Sequence, residues 1–214
     1  MFAFDFDETI SQYDGDRYIF SLLPDGKVPQ SLEEPRMEKG KWNLFMKKLL
    51  IHFHEQGIPF EKVKQSLETL PIVDGMKDLF HNLGEDIIII SNSNQLFIEW
   101  SLAANDMYNY VRDVYTNKAQ ITAQGLIDIG TYCTHQCKVC PFNMCKFIAL
   151  SEYLEKSKKG QIEYGQVCYV GDGLTDLCIL QSLQEKDICF IRNNYPLHNK
   201  YRELVSADPQ TIKC

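Results

Sequence analysis

Two acidic residues stand one apart near the start of the chain, in Phe4-Asp5-Phe6-Asp7-Glu8-Thr9. They end an apolar run that begins at Phe2, and Phe2, Phe4 and Phe6 alternate as in a short buried strand. A buried strand avoids unpaired carboxylates, because an uncompensated buried charge is costly. At the carboxyl end of a strand the pair makes sense: α/β sheets bind ligands there, and a metal ion offsets the charge. A carboxylate in that position can attack phosphorus and carry the phosphoryl group as an aspartyl-phosphate. The competing reading is a strand edge with two solvated acids, and a pattern this short does not separate the two.

Three further places repeat the theme. Ile87-Ile88-Ile89-Ile90 runs into Ser91-Asn92-Ser93-Asn94, whose hydroxyls and amides can hold phosphate oxygens or cap the helix that follows. Val167-Cys168-Tyr169-Val170 runs into Gly171-Asp172-Gly173-Leu174-Thr175-Asp176. Its glycines let backbone approach a ligand closely, and its acids could join Asp5 and Asp7 on one hard cation with oxygen ligands. Lys146 falls on a helix predicted over Asn143–Lys156. Several carboxylates around a phosphoryl group call for such a cation, although a lone helical lysine is ordinarily a solvated surface residue.

The elements that must position these residues follow from periodicity. Strands are predicted at Phe2–Phe6, Asp86–Ser91, Val111–Thr116, Val167–Gly171 and Ile188–Ile191, with helices at Met76–Leu83, Gln95–Ala104, Asn143–Lys156 and Asp176–Leu183 between them. Alternation of this kind indicates an α/β fold with a parallel sheet. Residues 11–73 break the rhythm. They hold no clear strand, show helical spacing over Trp42–Ile51 and Phe60–Leu70, and are punctuated by Pro24, Pro29, Pro35, Pro59 and Pro71. The expected organisation is an α/β core formed by residues 1–10 and 74–214, with residues 11–73 as an inserted helical domain.

Composition bounds the possible partners. With 214 residues, 44% hydrophobic and 24% charged, the chain suits one sizeable globular domain with a small insertion. A net charge of −7 without a basic face makes nucleic acid an unsuitable partner. No apolar run approaches the roughly 18 residues of a membrane span, and the first residues carry neither a basic nor an apolar leader segment. Eight cysteines without a leader lead us to expect reduced thiols in the cytoplasm. Ile212-Lys213-Cys214 is too weak to read as a targeting signal. Nothing here reads out an oligomeric state.

In this order, Asp5-x-Asp7-x-Thr9, Ser91, Lys146 and Gly171-Asp172-Gly173-x-x-Asp176 resemble the four motifs of the haloacid dehalogenase (HAD) superfamily of phosphatases. More closely, the chain is similar to the phosphoethanolamine/phosphocholine phosphatase family, whose relatives include a pyridoxal-phosphate phosphatase. Four segments carry that similarity: Phe4–Thr9, Ile90–Asn94, Thr134–Lys146 and Tyr169–Gly173. The resemblance implies a Rossmann-like parallel sheet with a small helical cap over residues 11–73. It implies an Mg²⁺-dependent phosphomonoesterase for a small phosphorylated metabolite such as phosphoethanolamine, phosphocholine or pyridoxal phosphate. Asp5 would be the nucleophile and Asp7 the general acid and base. The Asp5 carboxylate, the Asp7 carbonyl and Asp172 would hold Mg²⁺, with Asp176 one layer further out. Thr9 would order the loop, while Ser91 and Lys146 would hold the phosphoryl group. Asp16 and the residue after Ser91 would face the substrate's head group. There the family usually has Asp and this chain has Asn92, which weakens the case for a cationic head group. A phosphoprotein phosphatase and a catalytically silent phosphate-binding protein are the competing readings. The cap argues against the first and the intact acids and lysine against the second.

Cys133, His135, Cys137, Cys140 and Cys145 fall within thirteen residues, and Cys137-x-x-Cys140 has the spacing of a structural zinc site. The simpler reading is a tight loop that presents Lys146, with the thiols packed as small apolar groups. A redox disulfide is a third.

Overall fold

In a computed structural model, residues 1–37, 40–84, 86–208 and 212 are described, residues 34–37 by backbone alone. Lys213 and Cys214 of the C-terminal tripeptide lie outside the described residues. In chain order the elements are β1 (Phe2–Phe4), α1 (Gly15–Tyr18), α2 (Gln30–Met37), α3 (Trp42–Glu55), α4 (Phe60–Glu68), α5 (Met76–Leu83), β2 (Ile87–Asn94), α6 (Gln95–Ala104) and β3 (Val111–Asn117). There follow β4 (Ala119–Ile121), β5 (Ile127–Ile129), α7 (Lys146–Lys159), β6 (Cys168–Gly171), α8 (Leu177–Leu180), β7 (Ile188–Ile191) and α9 (Pro196–Ala207). Five strands form one parallel sheet in the order β3-β2-β1-β6-β7, the α/β architecture read from the alternation of elements.

Helices cover both faces of this sheet, and the four isoleucines of β2 show why the run is continuous rather than alternating. Ile87 and Ile89 enter one core with Phe4, Phe6, Phe80 and Phe97. Ile88 and Ile90 enter the other with Ala3, Leu150, Tyr153 and Tyr169. Short parallel strands with such faces put Asp5, Ser91 and Asp172 at one end of the sheet, Asp5 and Asp172 just past β1 and β6 and Ser91 directly after Ile90 of β2.

The helices α1–α4 lie between β1 and β2. Their two connections to the sheet are tied together: Gln12 N–H donates to Pro71 O (2.7 Å), Val73 N–H to Ile10 O (3.0 Å), and Ser11 pairs with Ile72 in an antiparallel bridge. Phe45, Met46, Leu49, Leu50 and Phe53 of α3 are buried at helical spacing and join the same core as Phe4 and Phe6.

Several boundaries differ from the sequence reading. β1 stops at Phe4 because the Asp5 carboxylate turns back to accept the Phe6 N–H at 2.7 Å. β2 continues to Asn94 through a register shift after Ile90, which re-aims Ser91 and Asn92. α7 starts at Lys146 rather than Asn143. The Asn143 side chain is held by Asn117 Oδ1 (3.1 Å) and its carbonyl accepts from Tyr132 N–H (2.9 Å), which keeps it in the preceding loop. The β4–β5 hairpin, with Gly125 at φ 79° in its turn, and α9, with Pro196 in its first turn, were not anticipated. Among the described residues no helix is long and apolar enough to cross a membrane.

Candidate active site

Asp5 is placed by β1, whose backbone is paired on both sides; its own N–H donates to Val170 O at 2.9 Å. Its Oδ2 lies 2.6 Å from Lys146 Nζ, and the lysine is fully buried. Lys146 is the first residue of α7 and is equally close to Asp176 Oδ1, at 2.6 Å. Asp176 has both oxygens committed. Oδ1 also accepts from Tyr169 OH (2.6 Å), while Oδ2 accepts the Asp172 and Gly173 N–H groups (3.1 and 2.9 Å). A Cβ on Gly171 would stand 2.6 Å from Asp176 Oδ2, so this turn needs glycine there. Thr9 Oγ1 donates to Asp172 Oδ1 at 2.8 Å. Sequence-predicted Asp5, Thr9, Lys146, Asp172 and Asp176 are therefore brought into one cluster.

Electrostatics follow from that crowding. Burial pushes the Asp5 carboxyl up to about 6, the nearby ammonium of Lys146 opposing it. Burial, then the charges of Asp5 and Asp176, push Asp172 to about 7. Burial works against the Lys146 ammonium, but Asp176 and Asp5 outweigh it and hold it above the ordinary lysine value. Asp5, Asp172 and Asp176 each offer an oxygen within 4.8 Å of the others. Three buried carboxylates thus face one buried ammonium, an excess of negative charge and of oxygen donors that suits a hard divalent cation.

Asp7 stands beside this cluster. Its Oδ1 accepts from Gly15 N–H at 2.7 Å, and burial together with Asp14 and Asp16 pushes its carboxyl well above the usual carboxylate range. Glu8 turns the chain at φ 55°, and its carbonyl accepts from Arg192. Ser91 is buried, with its Oγ accepting from Ser93 N–H at 3.3 Å. Asp5, Asp7, Ser91, Lys146 and Asp172 line a cavity of about 220 Å³.

A second cavity of about 570 Å³ adjoins it, sharing Asp16, Trp42, Asn92, Ser93 and Thr175. Its walls include Met46, Ile129 and Phe142 as well as Asn117 and Asn143. Asp16 Oδ2 accepts from Trp42 Nε1 at 2.7 Å, while Oδ1 is buried without a partner among the described residues. Burial first, then the charge of Asp14, push the Asp16 carboxyl up to about 7. Asn92 Nδ2 donates to Met144 O at 3.4 Å, and its Oδ1 likewise has no partner among the described residues. Trp42, Tyr169 and Arg192 are site residues that sequence reasoning missed. Tyr169 could have been flagged by its place two residues before Gly171, but Trp42 and Arg192 carry no local signal.

The predicted cysteine group is only partly assembled. Cys137, Cys140 and Cys145 meet Cys178 of α8, which sequence reasoning did not include, while Cys133 and His135 stand outside that group. His135 spends both ring nitrogens on backbone, Nδ1 with Cys137 N–H (3.1 Å) and Nε2 with Pro141 O (2.8 Å).

Comparison with known proteins sets this geometry in context. The sequence pattern of the family described as Putative Phosphatase matches residues 1–214. Probable phosphatase phospho2 of Xenopus tropicalis is 35% identical, over 99% of this chain and 91% of its own length. Phosphoethanolamine/phosphocholine phosphatase of Gallus gallus is 33% identical, over 100% and 81%. Pyridoxal phosphate phosphatase PHOSPHO2 of Mus musculus is 33% identical, over 92% and 84%. Among solved structures, a HAD family hydrolase of Salmonella enterica serovar Typhi superposes with TM-score 0.61 at 16% identity, over 92% of this chain and 68% of its own. A phosphoserine phosphatase solved as a phospho-aspartyl intermediate analogue gives TM-score 0.56 at 17% identity, over 94% and 97%. Both share the fold.

Proposed function

The chain belongs to the Putative Phosphatase family and is a phosphatase of the HAD type; from that premise we propose that it hydrolyses a small phosphomonoester through an aspartyl-phosphate on Asp5, with Mg²⁺ as its metal. One observation carries the reading. Asp5, at the end of the central strand, is held 2.6 Å from the buried Lys146 with Asp172 beside it.

On this reading Asp5 attacks phosphorus in line, and the bond to the leaving oxygen breaks as the bond to the carboxylate forms. Lys146 and Ser91 hold the equatorial oxygens of the transferring group. Asp7, whose carboxyl is pushed by burial and by Asp14 and Asp16 well above the usual carboxylate range, gives its proton to the leaving oxygen. The resulting carboxylate then takes a proton from the water that cleaves the aspartyl-phosphate. The Asp5 carboxylate, the Asp7 carbonyl and the Asp172 carboxylate would hold Mg²⁺, whose charge, when bound, offsets repulsion between carboxylates and phosphate. Asp176 acts as a positioning residue, since its oxygens are taken up by Lys146, Tyr169 and the Asp172–Gly173 backbone. Thr9 fixes Asp172.

We assign residues 1–10 and 74–214 to the core and residues 11–73 to a cap. The reading is supported by the paired connections at residues 10–12 and 71–73 and by Asp16 and Trp42, which bring that segment to the rim of the cavity. Within the substrates named for the relatives, the larger, partly apolar cavity of about 570 Å³ favours a leaving group bulkier than ethanolamine, of the pyridoxal kind. The test is phosphate release from pyridoxal phosphate, phosphocholine and phosphoethanolamine, with and without Mg²⁺. Mg²⁺-dependent turnover, highest with pyridoxal phosphate, is expected. No turnover of any phosphomonoester would overturn the reading.

A further inference from the structure

Four sulfurs converge where the loop before α7 meets the start of α8. The Sγ atoms of Cys137, Cys140, Cys145 and Cys178 all lie within 4.8 Å of one another, and Cys140 and Cys178 approach to 3.0 Å. Three of the four residues are buried and Cys137 is half-buried. We infer that these four cysteines bind one structural Zn²⁺ as thiolates. At a Zn–S bond of about 2.3 Å, the edges of a tetrahedron of sulfurs are about 3.8 Å, inside the observed spread.

Packing of thiols as small apolar groups would not require the sulfurs themselves to meet. Here the thiols of Cys140 and Cys178 reach each other, at 3.0 Å, and Thr175 O, at 3.9 and 3.8 Å. The loop is also shaped to deliver them. One tautomer of His135, with hydrogen on Nε2, accepts from Cys137 N–H and donates to Pro141 O, bracing the turn that carries Cys137 and Cys140. The imidazole is thereby a brace and not a ligand. A cavity of about 340 Å³ lined by Cys137, Cys145 and Cys178 adjoins the group and offers an entry path. Soft thiolates select zinc, whereas the carboxylate cluster selects a hard cation, so the two sites do not compete for one metal.

The placement gives the ion a task. Cys145 directly precedes Lys146, and Cys178 lies two residues past Asp176. Zinc would clamp together the two backbone segments whose side chains form the 2.6 Å Lys146–Asp176 pair.

The proposal is tested on the untagged full chain, purified reduced, loaded with Zn²⁺ and freed of excess. Elemental analysis should find about one zinc per chain. Loading with Co²⁺ instead should give the intense visible and sulfur-to-metal bands of a tetrahedral tetrathiolate. Zinc removal should lower Tm even with Mg²⁺ in excess. Cys178→Ser should lose the ion and Cys133→Ser should keep it. Absence of zinc together with an octahedral, oxygen-ligated Co²⁺ spectrum overturns the proposal. So does zinc that survives Cys178→Ser but not Cys133→Ser, or a native chain two hydrogens lighter than its reduced form, which would mark a disulfide. If Cys178→Ser does not fold, the wild-type Co²⁺ spectrum decides, since it reports the number of thiolates.

Discussion

The two ends of the cavity differ in how far their polar atoms are already committed. At one end Asp5, Thr9, Lys146, Asp172 and Asp176 form a closed network, with each side chain bonded to another or to backbone. At the other end Asp16 Oδ1, Asn92 Oδ1, Ser93 Oγ and Asn94 Nδ2 are the buried side-chain atoms left unpartnered among the described residues, and all four residues line the larger cavity. A buried polar atom without a partner is costly unless something supplies one. The first end is complete before a substrate arrives. On the proposed reading the second is completed by the substrate, which is where discrimination between leaving groups belongs.

Substitutions at the two ends should therefore fail differently. The largest effect is expected from Asp5→Asn. Turnover should fall by more than about 10⁴-fold, because an amide cannot form the acyl phosphate. Tm should not fall, because the change removes one of three crowded carboxylates. Steady-state kinetics with a melting curve check both, and residual turnover in a clean preparation would remove Asp5 from its role. Lys146→Met should also abolish activity, but with a loss of stability. Removing one partner of a buried ion pair costs about 3–5 kcal/mol, or about 10 °C in Tm for a chain of this size. A Tm equal to wild type would mean that the network is looser than its distances indicate.

At the open end the effects should be smaller and selective. Asn92→Asp places a carboxylate beside Asp16. Opposite charges about 4 Å apart at an effective dielectric of about 20 attract by about 4 kcal/mol before desolvation, leaving a net of about 1 kcal/mol. The kcat/KM for phosphocholine relative to an uncharged phosphomonoester should rise several-fold, and an unchanged ratio would separate Asn92 from the head group. Asp16→Asn should act through pH. The Asp16 carboxyl is raised from 3.8 to about 7, so the stability tied to its neutral form is complete below 3.8 and is lost as pH rises through about 7. The variant should thus gain on wild type as pH climbs from about 4 to about 7 and level off above that, by about 2–4 °C per kcal/mol. A Tm difference independent of pH would argue that Asp16 does not titrate there.

The closed end was the legible one. Asp5, Asp172 and Asp176 sit on glycine-bearing or strand-end patterns whose residue types announce themselves, and the parallel sheet follows from the apolar run of Ile87–Ile90 and its companions. The open end was legible in part: Asn92, Ser93 and Asn94 stood out as polar groups after an apolar strand, while a head-group role for Asp16 and Asn92 came only from the family resemblance. Trp42, its other wall, belongs to an ordinary amphipathic helix start, and nothing local says that its indole will find Asp16, 26 positions away. The thiol group shows the same limit. Cys137, Cys140 and Cys145 share one loop, but Cys178 lies 38 positions from Cys140, and only folding brings its sulfur in. The start of α7 at Lys146 was missed for a related reason, because Asn143 is held out of the helix by Asn117, a residue on another strand.

The central position of β1 has a consequence for how the chain is made. Phe2–Phe4 pairs with Ile87–Ile89 on one side and with Cys168–Val170 on the other. During translation one flank of this strand can be covered once β2 has emerged, but the other stays an open parallel edge until β6 leaves the ribosome. Phe2, Ala3 and Phe4 expose unpaired backbone groups throughout that interval, in an apolar segment suited to pairing with another chain. The two acids that follow at Asp5 and Asp7 carry charge at that edge, and like charges on neighbouring nascent chains oppose such pairing. The residues proposed to do the chemistry would then also guard the polypeptide before there is any chemistry to do.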